Sequence, residues 1–313
     1  MTMLNKKIAT DFKLFTHKTS LNEVFIKHMS IIDDNQLLVK LRIYNKHENY
    51  DDVITTPDLI NPMFRLECCR QAETYVAHSG FSLPLSFKFI LKSWSLTLSW
   101  ENYIKTKKAD HNEICIHIQS DVSLAKRDKL RNNSYFFSIT YAGVVIGEAC
   151  FKVGYMRNES YLKLRGQITP DSLAKENNNI KLPAKSLGYN AENNAMLYNY
   201  RLHNQVHETM LIVPEDNITY SDHYQDHITG FNLVEGTKQF CFFYLSQIQH
   251  YDISTMCIAH INSVFEHYTE NNLPTYLFLK HFEKRGNGEY EFIVSIMQEG
   301  KCKALCTLQL KEV

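Results

Sequence analysis

The sequence predicts an α+β protein built twice on one plan, and three observations carry that reading. Runs rich in β-branched and aromatic residues dominate the chain, as antiparallel strands do. Each half holds one long helical pattern. The two helical patterns carry matching polar residues: 67–71 reads ECCRQ, and 235–239, 168 positions later, reads EGTKQ.

In the first half the strand patterns lie at 23–29, 36–44, 87–100, 113–122, 134–141 and 144–153. Ala142-Gly143 separates the last two and predicts a tight hairpin. Between the second and third runs the helix 61–78, with Pro62 suited to its first turn and Gly80 just beyond its end. In the second half a strand at 207–213 precedes a helix at 230–250. Strands follow at 258–268, 275–283, 290–298 and 302–310, the last two joined through Glu299-Gly300. The Asn-rich stretch 170–186 reads as a connector. The expected division is therefore 1–165, a linker 166–195, and 196–313. A long helix enclosed by a curved antiparallel sheet is the hotdog arrangement, and the repeat of helix and strands at a constant offset predicts a tandem double hotdog.

Composition narrows the function. With 34 Lys+Arg against 34 Asp+Glu the net charge is zero, and no basic stripe interleaved with aromatics marks a nucleic-acid surface. The start is mixed polar without the apolar run of a secretory signal, and no apolar stretch reaches the roughly 18 residues a membrane span needs, so a cytoplasmic protein without membrane contact is expected. The eight cysteines include no CxxC pair, which argues against a closed zinc site and for buried free thiols. No metal and no cofactor are expected.

At 100° per residue Glu67, Gln71, Thr74 and His78 share one face of the first helix, with Arg70 at its border. A helix inside a sheet has little surface facing water, so this stripe faces either its own ion pair, Glu67 with Arg70, or a ligand. Glu235, Lys238 and Gln239 repeat the pattern on the second helix. Before that helix stands SDHYQDHITGFNLVE (221–235), in which Asp222-His223 and Asp226-His227 precede Gly230. A loop histidine and a helix carboxylate are what general acid–base chemistry needs. The same residues also serve as turns and caps, with Asp226 or Thr229 as the cap.

These residues resemble the A-factor biosynthesis (AfsA-like) hotdog family, which carries two tandem repeats. THKTSLNEVFI (16–26) matches its early His-Lys element. NPMFRLECCRQAETYVAHSGFSLPLSFKF (61–89) matches its first helix at Pro62, Glu67, Arg70, Gln71, Ala72, Ala77, His78, Pro84, Leu85 and Phe89. DHYQDHITGFNLVEGTKQ (222–239) matches its second loop and helix. The chain departs from the pattern at Asn61, Tyr224, Thr229, Phe231 and Lys238. Lys for Arg replaces a planar fork with a point charge.

The resemblance implies acyl transfer: a β-ketoacyl group passes from acyl-carrier protein or acyl-CoA to a hydroxyl of a small phosphorylated acceptor such as dihydroxyacetone phosphate, toward a butyrolactone-type signal. Thioesterase, β-hydroxyacyl dehydratase and non-catalytic acyl binding are the alternatives on the same fold. The geometry of hotdog dehydratases implies a composite site in which His223 meets Glu67. The reverse pairing fails because Thr55 stands where a histidine would precede Glu67. In that expectation Glu67, His223 and Glu235 are catalytic. Arg70, Gln71, His78, Asp222, Asp226, His227, Lys238 and Gln239 bind substrate, with Arg70 and Lys238 on a phosphate or neutralising the glutamates. Self-association is left open.

Overall fold

The computed structural model describes residues 11–42, 46–106, 113–125, 130–166 and 179–313. They form two compact units, one of residues 1–45 and 62–167 and the other of residues 46–61 and 168–313.

The first unit contains β1 (Ile26–Asp33), β2 (Gln36–Leu41), β3 (Lys88–Leu98), β4 (Ile114–Ser120), β5 (Asn132–Tyr141) and β6 (Val144–Met156). They pair antiparallel in the order β1-β2-β4-β5-β6-β3. The second unit contains β7 (Leu197–His203), β8 (Val206–Leu211), β9 (Met256–Phe265), β10 (Thr275–Arg285), β11 (Glu289–Gln298) and β12 (Lys301–Glu312). Their order is β7-β8-β10-β11-β12-β9, again antiparallel throughout. The second order is the first with every strand advanced by six, so the duplication extends to sheet topology. Each unit adds one long helix, Pro62–Ser79 or Gly230–Phe243. The fold is the expected tandem double hotdog.

Local chemistry sets these elements. Ala142-Gly143 and Glu299-Gly300 both take positive φ at both positions (49° and 79°, 49° and 73°), the two-residue hairpin geometry that matches strand twist. Thr229 caps the second helix by accepting the Asn232 N–H at 3.2 Å. That helix is α-helical only to Phe243. One π-helical turn follows over Tyr244–Ile248, closed by Gln249 N–H donating to the Tyr244 carbonyl, and His250 has φ 58°.

Within the expected connector 166–195, the described part is 179–195. Two 3-10 turns, Ala184–Leu187 and Glu192–Asn194, lie there, and Tyr189 and Asn194 are fully buried. Asn194, beyond the Asn-rich stretch 170–186, is the centre of a buried hub. Asn194 Oδ1 accepts from Asn49 Nδ2 (3.0 Å) and Asn217 Nδ2 (2.8 Å), and its own Nδ2 donates to the Glu48 carbonyl (3.0 Å) and Asp52 Oδ2 (2.8 Å). The hub ties the stretch 46–61 into the second unit. Strand β7 escapes the periodicity because Asn199 takes φ 51° and breaks its register between Tyr198 and Arg201.

Candidate functional site: two buried charge clusters

Both long helices are buried almost all round. Only Arg70, Tyr75 and Ser79 of the first and Gly230 of the second keep partial exposure. The polar residues on them must therefore be satisfied by protein groups or by ligand.

In the first unit Glu67 is the centre. Arg70 grips its carboxylate with two parallel bonds, Nε to Oε2 and Nη2 to Oε1, both 2.7 Å. Lys18 Nζ lies 3.1 Å from Oε1 and Gln71 Nε2 donates to the same oxygen at 3.0 Å. Burial alone would raise the Glu67 pKa, but Arg70 and Lys18 outweigh it and hold it down to about 2. Glu67 is thus a permanent anion and a poor proton acceptor. Arg70 is the most exposed member, its side chain 27% accessible against 7% for Lys18 and 4% for Glu67. Gln71 also pins the strand entry, donating to the Glu23 carbonyl (2.7 Å) and accepting from Phe25 N–H (2.9 Å).

The second unit copies the frame with different charges. Glu235 Oε1 accepts from Lys238 Nζ (2.9 Å), the Tyr189 hydroxyl (2.8 Å) and Gln239 Nε2 (2.9 Å). Gln239 donates to the Asn194 carbonyl (2.8 Å) and accepts from Met196 N–H (2.9 Å). Gln71 spans Glu23 and Phe25 in the same way, and this fixes the correspondence of the preceding segments. Tyr189, five residues before Asn194, stands where Lys18 stands before Glu23. Lys238 is fully enclosed, burial lowers its pKa, and it also donates to the Tyr189 hydroxyl at 2.7 Å. Glu235 Oε2 is buried without a partner among the described residues.

A second polar layer lies one to three turns along the first helix. His17 Nε2 and His78 Nε2 are 2.7 Å apart, and His78 Nδ1 lies 2.8 Å from the Leu83 carbonyl. The carbonyl can only accept, so Nδ1 carries the hydrogen. With both rings neutral, His78 Nε2 then accepts from His17. Burial lowers the His78 pKa. Phe89 packs on both rings, at 5.4 and 5.2 Å between centroids, and on Tyr155 at 5.1 Å. Tyr155 in turn donates to Glu73 Oε1 at 2.7 Å, and its hydroxyl meets that of Tyr135 at 2.7 Å. Burial pushes the Glu73 carboxyl up to about 7 despite these bonds.

In the loop before the second helix the better-formed pair is His227 Nδ1 with Asp226 Oδ1, at 2.6 Å. His223 Nδ1 stands 3.4 Å from Asp222 Oδ2, while the Gln225 amide donates to its Nε2. The expected partners Glu67 and His223 belong to different units.

The sequence points to Glu67, Arg70, Gln71, His78, Glu235, Lys238 and Gln239; the fold gathers six of these into two clusters and places His78 in the separate layer with His17. Lys18, His17, Glu73, Tyr135, Tyr155 and Tyr189 escape the helical-stripe argument. Lys18, His17 and Tyr189 arrive from the segment before the first strand, and the other two tyrosines from the sheet. Glu73 lies on the same helix but off the stripe that Glu67 and Gln71 share. No disulfide joins any of the eight cysteines. Five are buried, whereas Cys115, Cys150 and Cys302 are only half-buried. Among the described residues His281, Glu283 and Glu291 come close enough to share a cation, but Arg285 already bonds both carboxylates, at 3.3 and 2.7 Å.

The A-factor biosynthesis hotdog domain matches residues 6–156 and 180–312. The chain belongs to this family. The two A-factor biosynthesis hotdog segments each contain one long helix and the six strands of one repeat. No curated protein matches the chain. Among solved structures it is similar to a protein described as an oleoyl thioesterase from Lactobacillus plantarum, at 9% identity and TM-score 0.52 over 90% of this chain and 98% of that one. The tesB protein of Mycobacterium avium subs paratuberculosis shares 6% identity at TM-score 0.50 over 91% and 96%. A bifunctional dehydratase-cyclase domain in ambruticin biosynthesis shares 8% at TM-score 0.50 over 92% and 95%. These likenesses extend the fold of the A-factor hotdog family to other proteins and go no further than fold. No described helix is long and apolar enough to cross a membrane.

Proposed function

We propose that this chain is an acyltransferase that moves a β-ketoacyl group from the thioester of acyl-carrier protein or CoA to a hydroxyl of a small phosphorylated acceptor such as dihydroxyacetone phosphate, toward a butyrolactone- or butenolide-type signal. Membership of the A-factor biosynthesis family supports the reaction class. The observation that carries the acceptor is the convergence of Arg70 and Lys18 on Glu67. Two cations around one ionised carboxylate, with Arg70 partly exposed, suit an anion brought to the rim.

Glu67 in this reading holds and orients the cations, since a carboxylate kept near pKa 2 takes no proton from an alcohol. The acceptor oxygen bonds to the thioester carbon, N–H groups at a helix N-terminus stabilise the oxyanion, and the carbon–sulfur bond then breaks. The Asp222-His223 and Asp226-His227 steps contribute further substrate contacts, and Glu235 with Lys238 and Gln239 holds the second helix in place. A carrier-protein donor implies a cytoplasmic setting.

The test incubates purified protein with β-ketoacyl-carrier protein, with and without dihydroxyacetone phosphate, and weighs the products. An ester formed only with the acceptor is expected. Free acid regardless of acceptor means hydrolysis, and loss of water from a β-hydroxyacyl donor means dehydration. Either outcome replaces the transferase reading.

A further inference from the structure

The geometry points to His17, backed by His78, as the acid–base pair that handles the acceptor proton in the first repeat, an inference that rests on the acyl-transfer reading. Three independent features support it. The first is the direct contact: His17 is half-buried and His78 buried behind it, with the two Nε2 atoms 2.7 Å apart and the inner ring anchored on the Leu83 carbonyl. An outer ring that can reach substrate and an inner ring of fixed orientation make a proton-holding pair.

The second is backbone conformation. His17 takes φ 57°, and its counterpart, six residues before the carbonyl that binds the helix glutamine, is Gly188 with φ 91°. Both repeats bend the chain to the left-handed region at this point. The second repeat uses the residue that does so without strain, whereas the first keeps a histidine there.

The third is what the second repeat has given up. At the helix positions of Glu73 and His78 it has Cys241 and Ser246. Aligned on the two hairpin turns, Tyr135 corresponds to Phe292 and Tyr155 to Glu312, which is exposed and accepts from Tyr290. The hotdog core therefore packs without this polar layer, so the fold itself does not demand the layer in the first repeat. The working proton chemistry lies in repeat one.

As the acceptor oxygen attacks the thioester carbon, its proton passes to the His17 ring. The charge is shared across the Nε2 contact with His78. When the carbon–sulfur bond breaks, the pair returns the proton to the departing thiolate. His17 is the catalytic residue of this scheme and His78 its positioning residue. Among the described residues, titratable groups around the pair include Glu73 and Tyr155 across Phe89, Tyr75 beside Phe15, and Lys18 next in sequence.

Two variants keep the backbone bend: His17→Asn, a residue that tolerates positive φ, and His17→Gly, which copies the second repeat. Both should fold with near-native circular dichroism and lose at least about a hundredfold in kcat, with the acceptor KM changed less than threefold. His78→Gln should shift the acidic limb of the kcat/KM profile, and Glu73→Gln, measured beside it, should leave that limb in place. Undiminished kcat in folded His17 variants overturns the assignment. If wild-type protein transfers no acyl group at all, the reaction reading fails instead, and imidazole NMR still decides the pairing. Coupled titration of the two rings, lost in either single variant, supports it. Independent titration in the wild type overturns it.

Discussion

Glu67 and Glu73 lie six residues apart on one buried helix and are driven in opposite directions, Glu67 down to about 2 by Arg70 and Lys18, Glu73 up to about 7 by burial beside tyrosine hydroxyls. Both carboxyls sit in the same helix of the same fold. What separates them is how closely cations stand: Arg70 and Lys18 contact the Glu67 carboxylate, whereas for Glu73 the pull of Arg70 is the smallest influence and burial prevails.

For Glu67 the native value lies below the unfolded one of 4.5, so its stabilisation is present above pH 4.5 and fades as pH falls toward 2. The span corresponds to about 3 kcal/mol. Glu67→Gln should destabilise by about 3 kcal/mol at pH 7, because Lys18 is left enclosed and Arg70 half-buried without their anion. Chemical denaturation at pH 7 and pH 3 checks this, and the difference between wild type and variant should shrink at the lower pH.

For Glu73 the native value lies above the unfolded one. Stability is fully present below pH 4.5 and is lost as pH rises through about 7, again by about 3 kcal/mol. Glu73→Gln keeps an acceptor for the Tyr155 hydroxyl and removes the titration. Melting curves from pH 4.5 to 8 should decline for the wild type and flatten for the variant. Parallel curves would show that Glu73 does not titrate in that window.

Arg70→Lys tests the anion grip. A lysine cannot reproduce the two-bond fork on Glu67, so an acceptor phosphate loses its aligned partner. Acceptor KM should rise about tenfold with kcat changed less. A fall in kcat with KM intact would move Arg70 from binding to the chemical step.

Gln71 and Gln239 make equivalent bonds in the two repeats, each to a carbonyl, a backbone N–H and the helix glutamate. Gln71→Ala and Gln239→Ala should each cost about 2 to 4 kcal/mol, since buried backbone groups lose their partners. Denaturant midpoints read this out. Unequal losses would mean that the repeats no longer share a common frame.

The elements and polar stripes were legible because helical and strand periods survive duplication. Glu67, Arg70 and Gln71 announce themselves by recurring as Glu235, Lys238 and Gln239. Tyr155 and Tyr135 gave no such sign, since a buried tyrosine on a strand reads as core until its hydroxyl is seen to bond. Lys18 and Tyr189 face equivalent carboxylates with different chemistry, so a search for identical residues passes over both. Composition treats Asn194 as solvent-loving, whereas its four bonds make it an interior junction.

That junction sets an order of events during synthesis. Asn49 emerges from the ribosome long before its partners and must wait for Asn194, 145 residues on, and Tyr220, 171 residues on. At roughly 5–20 residues per second the delay is on the order of ten to thirty seconds. Through that interval the first repeat's helix has to form beside a tether whose own home does not yet exist. Either half expressed alone would leave residues 46–61, or the groups they bond to, without a partner, so residues 46–61 make the second unit depend on chain that precedes the first helix.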